Sequence, residues 1–600
     1  MKLKHYLVDF WDKLILIRRK LVERIDRAIL LVLFVGFALS IYQIAFPKEG
    51  QVASTVLAIL RKIPWLAMTL YLVKWFLQHF IRKSPKMFDR RQLPDLTFAG
   101  LLFLYEKLKY HVDFLYSDWF LYVLLSVFFV VRIIREGHII KDRRLTPSML
   151  FGFSFAMLIF VSTALLLIPD VTTHQMTFVD ALFTATSAVC VTGLAVVDTA
   201  SAFTPLGKDM LLVMIQIGGL GLMTFTNFFA VLFRGGMSFR NHLILNDIIQ
   251  PDQPNSLVST LVKIVGYTLI MEAIGVFLIH YVSNEKFFTN SYDSWFFSVF
   301  HAVSAFCNAG FSTLPDGLFN GGFRYNYPFQ IIICLLVIFG GIGFPVVIDL
   351  YNTVRSLFKS LFQWLFMRQR FVFLARNLNV HSRLVLTSTT ILLVLGMILY
   401  FATEYNNTLK DHPTFFGKFT QSLFGSVTPR TAGFNTVDMG GLMQGTILVY
   451  LLLMWIGASP SSTGGGIKTT TFTIAISNIV ALVRGKGRVE LFKREISEDS
   501  IKRAFAVMFI SFLIIGLAVF LISIFEPEQQ LTKIAFECFS AYSTVGLSLN
   551  LTPELSTPSK FVLIVTMFLG RVGMFTILFG LFKKVGSSSH RYPKENVLIV

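Results

Sequence analysis

Residues 536–550 read "FECFSAYSTVGLSLN". A stretch with helical patterning gives way to Thr544-Val545-Gly546, and the chain then turns polar. One Thr-Val-Gly means little, since such tripeptides occur in many turns. Three further segments align on the same glycine: "TATSAVCVTGLAVVD" (184–198), "HAVSAFCNAGFSTLP" (301–315) and "FGSVTPRTAGFNTVD" (424–438). Ten residues before Gly193, Gly310, Gly433 and Gly546 stand Phe183, Phe300, Leu423 and Phe536. Six before stand Ser187, Ser304, Val427 and Ser540, and immediately after come Leu194, Phe311, Phe434 and Leu547. Recurrence with matching flanks marks one structural unit used four times.

The surroundings of these segments place them in a membrane. The 600-residue chain is 54% hydrophobic and only 15% charged, against roughly 25% charged in soluble proteins. Runs such as "AILLVLFVGFALSIYQIAF" (28–46), "MLFGFSFAMLIFVSTALLLI" (149–168) and "FQIIICLLVIFGGIGFPVVI" (329–348) reach the roughly 20 residues that cross a bilayer as a helix. The net charge of +19 is spread unevenly. Arg355, Lys359, Arg368, Arg370, Arg376 and Arg383 share one inter-helix segment without an acid, while Asp198, Asp316, Asp438 and Glu554 lie in intervening ones. That is the positive-inside pattern of a polytopic membrane protein, and it disfavours nucleic acid as a partner. The basic start, with no short apolar core and cleavage site, predicts an uncleaved cytoplasmic N-terminus. Cys190, Cys307, Cys334 and Cys538 lack CxxC spacing and read as packing residues.

Each glycine follows a spanning run and then a short apolar run of about three turns, too brief to cross at 1.5 Å per residue. A second spanning run comes after it. The unit is helix, re-entrant half-helix with loop, helix. Non-helical backbone at membrane depth is tolerated only where protein buries it or water lines it, so four such loops imply one shared aqueous axis. The predicted fold is an all-α polytopic membrane protein of four pseudo-repeated helix–pore loop–helix units around a central pore. The units span 147–250, 251–380, 381–498 and 499–585, with an N-terminal extension over 1–146 of about four helices and a short cytoplasmic tail over 586–600. In the extension Arg132, Arg135, His138 and Lys141 recur at every third position. That spacing also suits a voltage-sensing helix, but their place at the cytoplasmic end satisfies the charge rule more simply.

A dehydrated alkali cation needs oxygen dipoles in place of its hydration shell. Backbone carbonyls can supply them if unusual dihedrals turn them to the axis, which glycine reaches without a Cβ clash. The residues preceding the four glycines are Val191-Thr192, Asn308-Ala309, Thr431-Ala432 and Thr544-Val545, none of them charged. A divalent-cation pore would carry a carboxylate ring here, so the twelve residues read as a filter for a monovalent cation.

Four linked units, each with a filter glycine, resemble the Trk/Ktr/HKT superfamily of potassium transporters over roughly residues 147–585. The resemblance implies potassium as substrate at the filter carbonyls, since glycine at all four positions accompanies potassium permeation and serine at the first marks sodium-selective plant members. It also implies a homodimer in the cytoplasmic (inner) membrane with both termini cytoplasmic, and a cytosolic ring of nucleotide-binding regulatory subunits. No cofactor bound by this chain is expected. The chain's "GGGIKTTT" lacks the GxxxxGK[ST] spacing of a phosphate-binding loop.

Two polar oddities complete the reading. In "LLLMWIGASPSSTGGGIKTTTFTIAI" (451–476), Pro460 and Gly464-Gly465-Gly466 interrupt the second span of the third unit beside Lys468, because proline and consecutive glycines break a helix. The segment is similar to the family's intramembrane gating loop. Arg571 lies in "FVLIVTMFLGRVGMFTILFGLF" (561–582), about twelve residues from either end of the run, roughly 18 Å by helix rise. A central arginine costs about 2.5–3.5 kcal/mol to insert and so needs a polar partner or the pore. The resemblance implies that it contacts the gating loop and adds a positive barrier. The alternatives are a sodium or non-selective monovalent cation transporter of the same fold, or a membrane enzyme using His301, Asp349 and Glu272. No HExxH or paired-histidine spacing supports the enzyme.

Overall fold

The computed structural model describes residues 2–45, 51–80, 93–109, 118–136, 147–233, 257–283, 290–367 and 378–573. The tail over 586–600, His138 and Lys141 lie outside these. Among the described residues four helices are long and apolar enough to cross a membrane: Ser54–Gln78, Val262–Val282, Val380–Glu404 and Glu498–Phe525. A bent pair makes a fifth if counted as one span. The chain divides into two compact units, one of residues 1–144 with 168–170, the other of the remainder.

In the first unit, helices Lys2–Ala45, Ile63–Phe80, Leu93–Leu108 and Asp118–Glu136 pack with the short helix Gln51–Leu60. Leu33, Ala67, Tyr71, Leu102 and Phe128 form its core. Three buried charges and the half-buried Asp26 meet in this core. Lys74 Nζ lies 2.6 Å from Asp26 and 2.8 Å from Asp95, while Arg132 pairs with Asp26 and lies 3.7 Å from Asp95. Two acids and two bases cancel, which makes their burial affordable away from water. Arg132 therefore departs from the simple charge-rule reading, because its guanidinium is turned into the helix bundle and sits over the Tyr71 ring at 5.7 Å.

The second unit repeats one pattern. Helices Pro147–Leu166, Leu257–Val282, Val380–Glu404 and Glu498–Phe525 each lead to a half-helix: Phe178–Val189, Ser291–Phe306, Phe415–Val427 and Leu531–Ser543. The half-helices have 12, 16, 13 and 13 residues, about 18–24 Å at helical rise, short of a hydrocarbon core of about 30 Å. Side-chain caps help start them. Thr177 Oγ1 accepts from the Asp180 N–H at 3.2 Å and Thr414 Oγ1 from the Gly417 N–H at 3.0 Å, each satisfying a donor the helix leaves orphaned. The second helices are Pro205–Phe233, Tyr327–Ile342, Gln444–Trp455 and Thr557–Val572. Each packs on the half-helix of the next unit, the fourth on that of the first, so the units close into a ring.

Two second helices are interrupted, and the fourth ends within its apolar run. The third stops at Trp455 and resumes as Thr469–Val483, where the sequence places Pro460 and the glycine run. The second turns by 103° at Gly343 before continuing as Phe344–Met367. Its apolar run reads as one continuous span, although Gly340, Gly341, Gly343 and Pro345 stand at the bend and are the residue types that break a helix. Gly343 has φ 92°, and the freed Phe344 N–H donates to the Ser461 carbonyl at 3.2 Å. The fourth ends at Val572, with Gly573 at φ 82°. Arg571 accordingly stands in the last turn of a helix rather than midway along an unbroken span. A cation is favoured there by the carbonyl end of the helix dipole.

Candidate cation filter and the loop packed against it

The backbone just after each half-helix alternates in handedness. Val191, Asn308, Thr431 and Thr544 have φ of 55°, 60°, 71° and 51°, and Gly193, Gly310, Gly433 and Gly546 have 92°, 70°, 78° and 93°. The glycines adopt this region without steric cost. For the four non-glycine residues it costs about 1–3 kcal/mol each, strain that persists only where the surroundings over-determine it and that clusters at functional sites. Sequence reasoning assigned the glycines unusual dihedrals but gave no sign that β-branched Val191, Thr431 and Thr544 take up left-handed backbone beside them.

The structure brings all four glycines together. A Cβ on Gly193 would lie 2.4 Å from the Ala309 carbonyl oxygen, one on Gly310 2.8 Å from that of Ala432, one on Gly433 2.3 Å from that of Val545, and one on Gly546 2.2 Å from that of Thr192. Each loop faces the carbonyl of the next and the cycle closes. Each half-helix ends immediately before one of these loops, and the carboxyl end of a helix carries a partial negative charge suited to a cation. On the far side the glycines open into a cavity of about 240 Å³ whose lining includes Asp198, Ser312, Asn435, Ser548 and Asn550 and no lysine or arginine.

Side chains of the half-helices hold the loops. Ser187 Oγ accepts from the Gly193 N–H and Ser540 Oγ from the Gly546 N–H, both at 3.0 Å. Ser304 Oγ donates instead to the Phe311 carbonyl at 2.8 Å. In the third unit Val427 stands at the serine position, and the neighbouring Thr428 donates to the Phe434 carbonyl. Farther along, Glu537 accepts from Ser548 Oγ and from the Leu549 N–H at 3.2 Å. Thr436 Oγ1 donates to Gln421 at 2.7 Å, and His301 Nε2 lies 2.9 Å from Ser312 Oγ. Three different polar devices thus fasten the descending strands of three units. Sequence alignment found the serines as a repeat, not as filter supports.

A second set of glycines went unnoticed. A Cβ on Gly218, Gly340 or Gly570 would come within 2.2, 2.0 or 1.8 Å of the Val189, Phe306 or Tyr542 carbonyl oxygen. These glycines let the second helices lie directly on the half-helix ends. Their signal was present as "IGGLG", "FGGIG" and "LGRVG" at matching places after the first, second and fourth glycine loops.

Residues 456–468 reach this ring as a loop. A Cβ on Gly464 would lie 2.2 Å from Thr431 Oγ1 and one on Gly465 2.3 Å from Thr544 Oγ1, so only glycine fits at either place without displacing a filter side chain. Gly466 has φ 67°. Lys468 Nζ donates to the Gly464 carbonyl at 2.6 Å. Arg571, 2% exposed, donates one guanidinium N–H to the Thr463 carbonyl of this loop and another to the Gly218 carbonyl at 2.7 Å. The structure thus joins the broken helix and the arginine, which lie far apart in sequence.

The residues of the enzyme alternative are not brought together. His301 also bonds the Phe297 carbonyl at 2.9 Å, Glu272 accepts from Gln216 at 3.1 Å, and Asp349 accepts from Ser382 and Asn379. No group of three metal-ligating side chains exists among the described residues. The four cysteines are free and buried.

A family model described as TrkH, cation transport protein, matches residues 122–590. The chain is 37% identical over 466 residues to the Ktr system potassium uptake protein B of Bacillus subtilis, covering 77% of this chain and 99% of that relative. It is 33% identical over 471 residues to the potassium/sodium uptake protein NtpJ of Enterococcus hirae, covering 76% and 98%. The crystal structure of the potassium transporter TrkH from Vibrio parahaemolyticus shares the fold at TM-score 0.55 and 15% identity, over 92% of this chain and 98% of that one.

Proposed function

Because this chain belongs to the TrkH family of cation transport proteins, a family of transporters rather than enzymes, we propose that it takes up potassium across the cytoplasmic membrane through the ring at Gly193, Gly310, Gly433 and Gly546. The observation that carries this reading is the closed cycle in which every glycine faces the next loop's carbonyl. A potassium ion leaving the outer cavity exchanges water for the carbonyls of residues such as Thr192, Ala309, Ala432 and Val545. These are neutral dipoles, strong enough to replace hydration and weak enough to release the ion. The names of the Bacillus subtilis and Enterococcus hirae relatives support a monovalent cation. The second name keeps sodium as the alternative substrate.

The loop at Gly464-Gly465-Gly466, held by Lys468 and Arg571, serves in this reading as the gate. It packs on Thr431 and Thr544, and two cationic side chains fasten it, so an ion passing the filter meets both a steric and a positive barrier. Opening requires the loop to leave those threonines. Assembly as a homodimer with a cytosolic ring of nucleotide-binding regulatory subunits, and cytoplasmic termini, follow from the family resemblance. Uptake of radioactive rubidium by vesicles holding the purified protein tests the reading: uptake suppressed by potassium far better than by sodium supports it, and no uptake refutes it.

A further inference from the structure

Nine places before each ring glycine and two places after it stand residues that differ from unit to unit. In chain order the pairs are Thr184 and Ala195, His301 and Ser312, Phe424 and Asn435, Glu537 and Ser548. The first member of each pair lies within a half-helix. The second lines the outer cavity beside the glycines in all four units. Among the described residues, a side-chain hydrogen bond joins the pair only in the second and fourth units. Each of these bonds spans the filter segment and ties its descending limb to its own half-helix. His301 and Glu537 are both buried. His301 Nδ1 lies 2.9 Å from the Phe297 carbonyl. A carbonyl only accepts, so Nδ1 carries the proton, and Nε2 of the neutral ring accepts from the Ser312 hydroxyl at 2.9 Å. Glu537 accepts from Ser548 Oγ at 2.5 Å, from Thr552 Oγ1 at 2.6 Å and from the Leu549 N–H at 3.2 Å.

We propose that His301 and Glu537 are positioning residues that set the discrimination between potassium and sodium, each by fixing a serine at the cavity mouth and with it the carbonyls of its loop. Neither touches the ion. The cycle of glycines runs through the units in chain order, so the two fixed loops face each other across the ring. Asn308 and Thr544 of these loops hold left-handed backbone, strain that persists only where the surroundings over-determine it. A loop released at its descending limb relaxes that strain by shifting its carbonyls, and shifts of about 0.5 Å spoil a preorganised site. Discrimination depends on the number and field of the carbonyl dipoles around the ion. The first unit supplies the contrast. Thr184 Oγ1 is buried without a hydrogen-bond partner, and Ala195 has no polar side chain to offer. The inference rests on the reading of the glycine ring as a potassium path.

Competition of potassium and sodium against rubidium uptake, in vesicles holding the full-length protein and normalised to folded molecules, tests it. Ser312→Ala and Ser548→Ala each cut one tie at its cavity end. Each should lower the preference for potassium roughly tenfold, within the range of a single coupling in a buried network. His301→Phe keeps a ring beside Phe297 and Phe329 and is the residue type of the third unit. It should cost as much, and combining it with Ser312→Ala should cost no more than either change alone, because both break the same tie. Glu537→Gln keeps an oxygen for Ser548 and Leu549 and turns its amide to Thr552, so the preference should survive. Thr184→Val, which removes a hydroxyl that ties nothing, should also leave it intact. Unchanged preference in either serine variant, or losses that add in the double variant, overturns the proposal even where Tm falls. A parent that takes up no rubidium, or takes it up without preference, overturns the filter reading and this inference with it.

Discussion

Gly465 donates its backbone N–H to Thr544 Oγ1 at 3.1 Å. The middle of the third unit's broken helix is thereby bonded to the fourth filter segment. Two distant interruptions of regular structure meet at one contact, as the proposed gate requires. Deleting Gly464-Gly465-Gly466 removes the loop's packing on Thr431 and Thr544 together with this bond. Rubidium flux per folded molecule should rise severalfold, since the path loses its steric plug. Folded deletion protein, confirmed by size-exclusion profile, that conducts no more than the parent would show that the loop is no gate.

Arg571 anchors the same loop through the Thr463 carbonyl and also bonds the Gly218 carbonyl. Arg571→Gln keeps one donor group and removes the charge. A unit charge near the axis opposes a cation by several kcal/mol at low effective dielectric, and pore water screens much of this. Flux should rise about tenfold, or 1.4 kcal/mol. A purely structural arginine would instead lower Tm and leave the flux per folded molecule unchanged. Both quantities measured on one preparation separate the roles.

Gly193→Ser introduces a Cβ that would stand 2.4 Å from the Ala309 carbonyl oxygen, at φ 92°. The clash is with backbone, so the neighbouring loop must shift and one carbonyl leaves its place. Discrimination between potassium and sodium, read by competition against rubidium uptake, should weaken. Unchanged selectivity at normal expression would remove the first loop from the filter.

Lys74→Met removes one of the two cations that the described residues place against Asp26 and Asp95 of the N-terminal unit, the other being Arg132. Removing one member of a buried charge network costs about 3–5 kcal/mol, and Tm should fall accordingly. Adding Asp95→Asn to Lys74→Met restores neutrality and should recover part of the loss. Lack of any recovery would mean that the network is not balanced by these four charges.

How much of this was legible in the sequence follows from what each feature requires. The four glycines were legible because a ring of close-packed loops excludes a Cβ at one fixed place in each repeat. The broken third helix was legible because Pro460 and three consecutive glycines cannot continue a helix. The bend at Gly343 was passed over because its run stays apolar on both sides, although Gly343 and Pro345 mark it; the compensating bond from Ser461, in another unit, has no local signal. The end of Arg571's helix at Val572 was hidden for the same reason. The quartet of Asp26, Lys74, Asp95 and Arg132 joins residues far apart in sequence, and no local pattern encodes such pairing. Ser187 and Ser540 were visible as a repeat, but whether a hydroxyl donates or accepts depends on where the filter backbone passes.

The central claim is that the four loops together hold a dehydrated potassium ion. Rubidium, a potassium mimic with strong anomalous scattering, tests it in crystals of the full-length protein grown without sodium. An anomalous peak inside the ring of Gly193, Gly310, Gly433 and Gly546, displaced by potassium but not by equal sodium, is the predicted result. Rubidium density absent from the ring, or bound only elsewhere in the protein, would contradict the account.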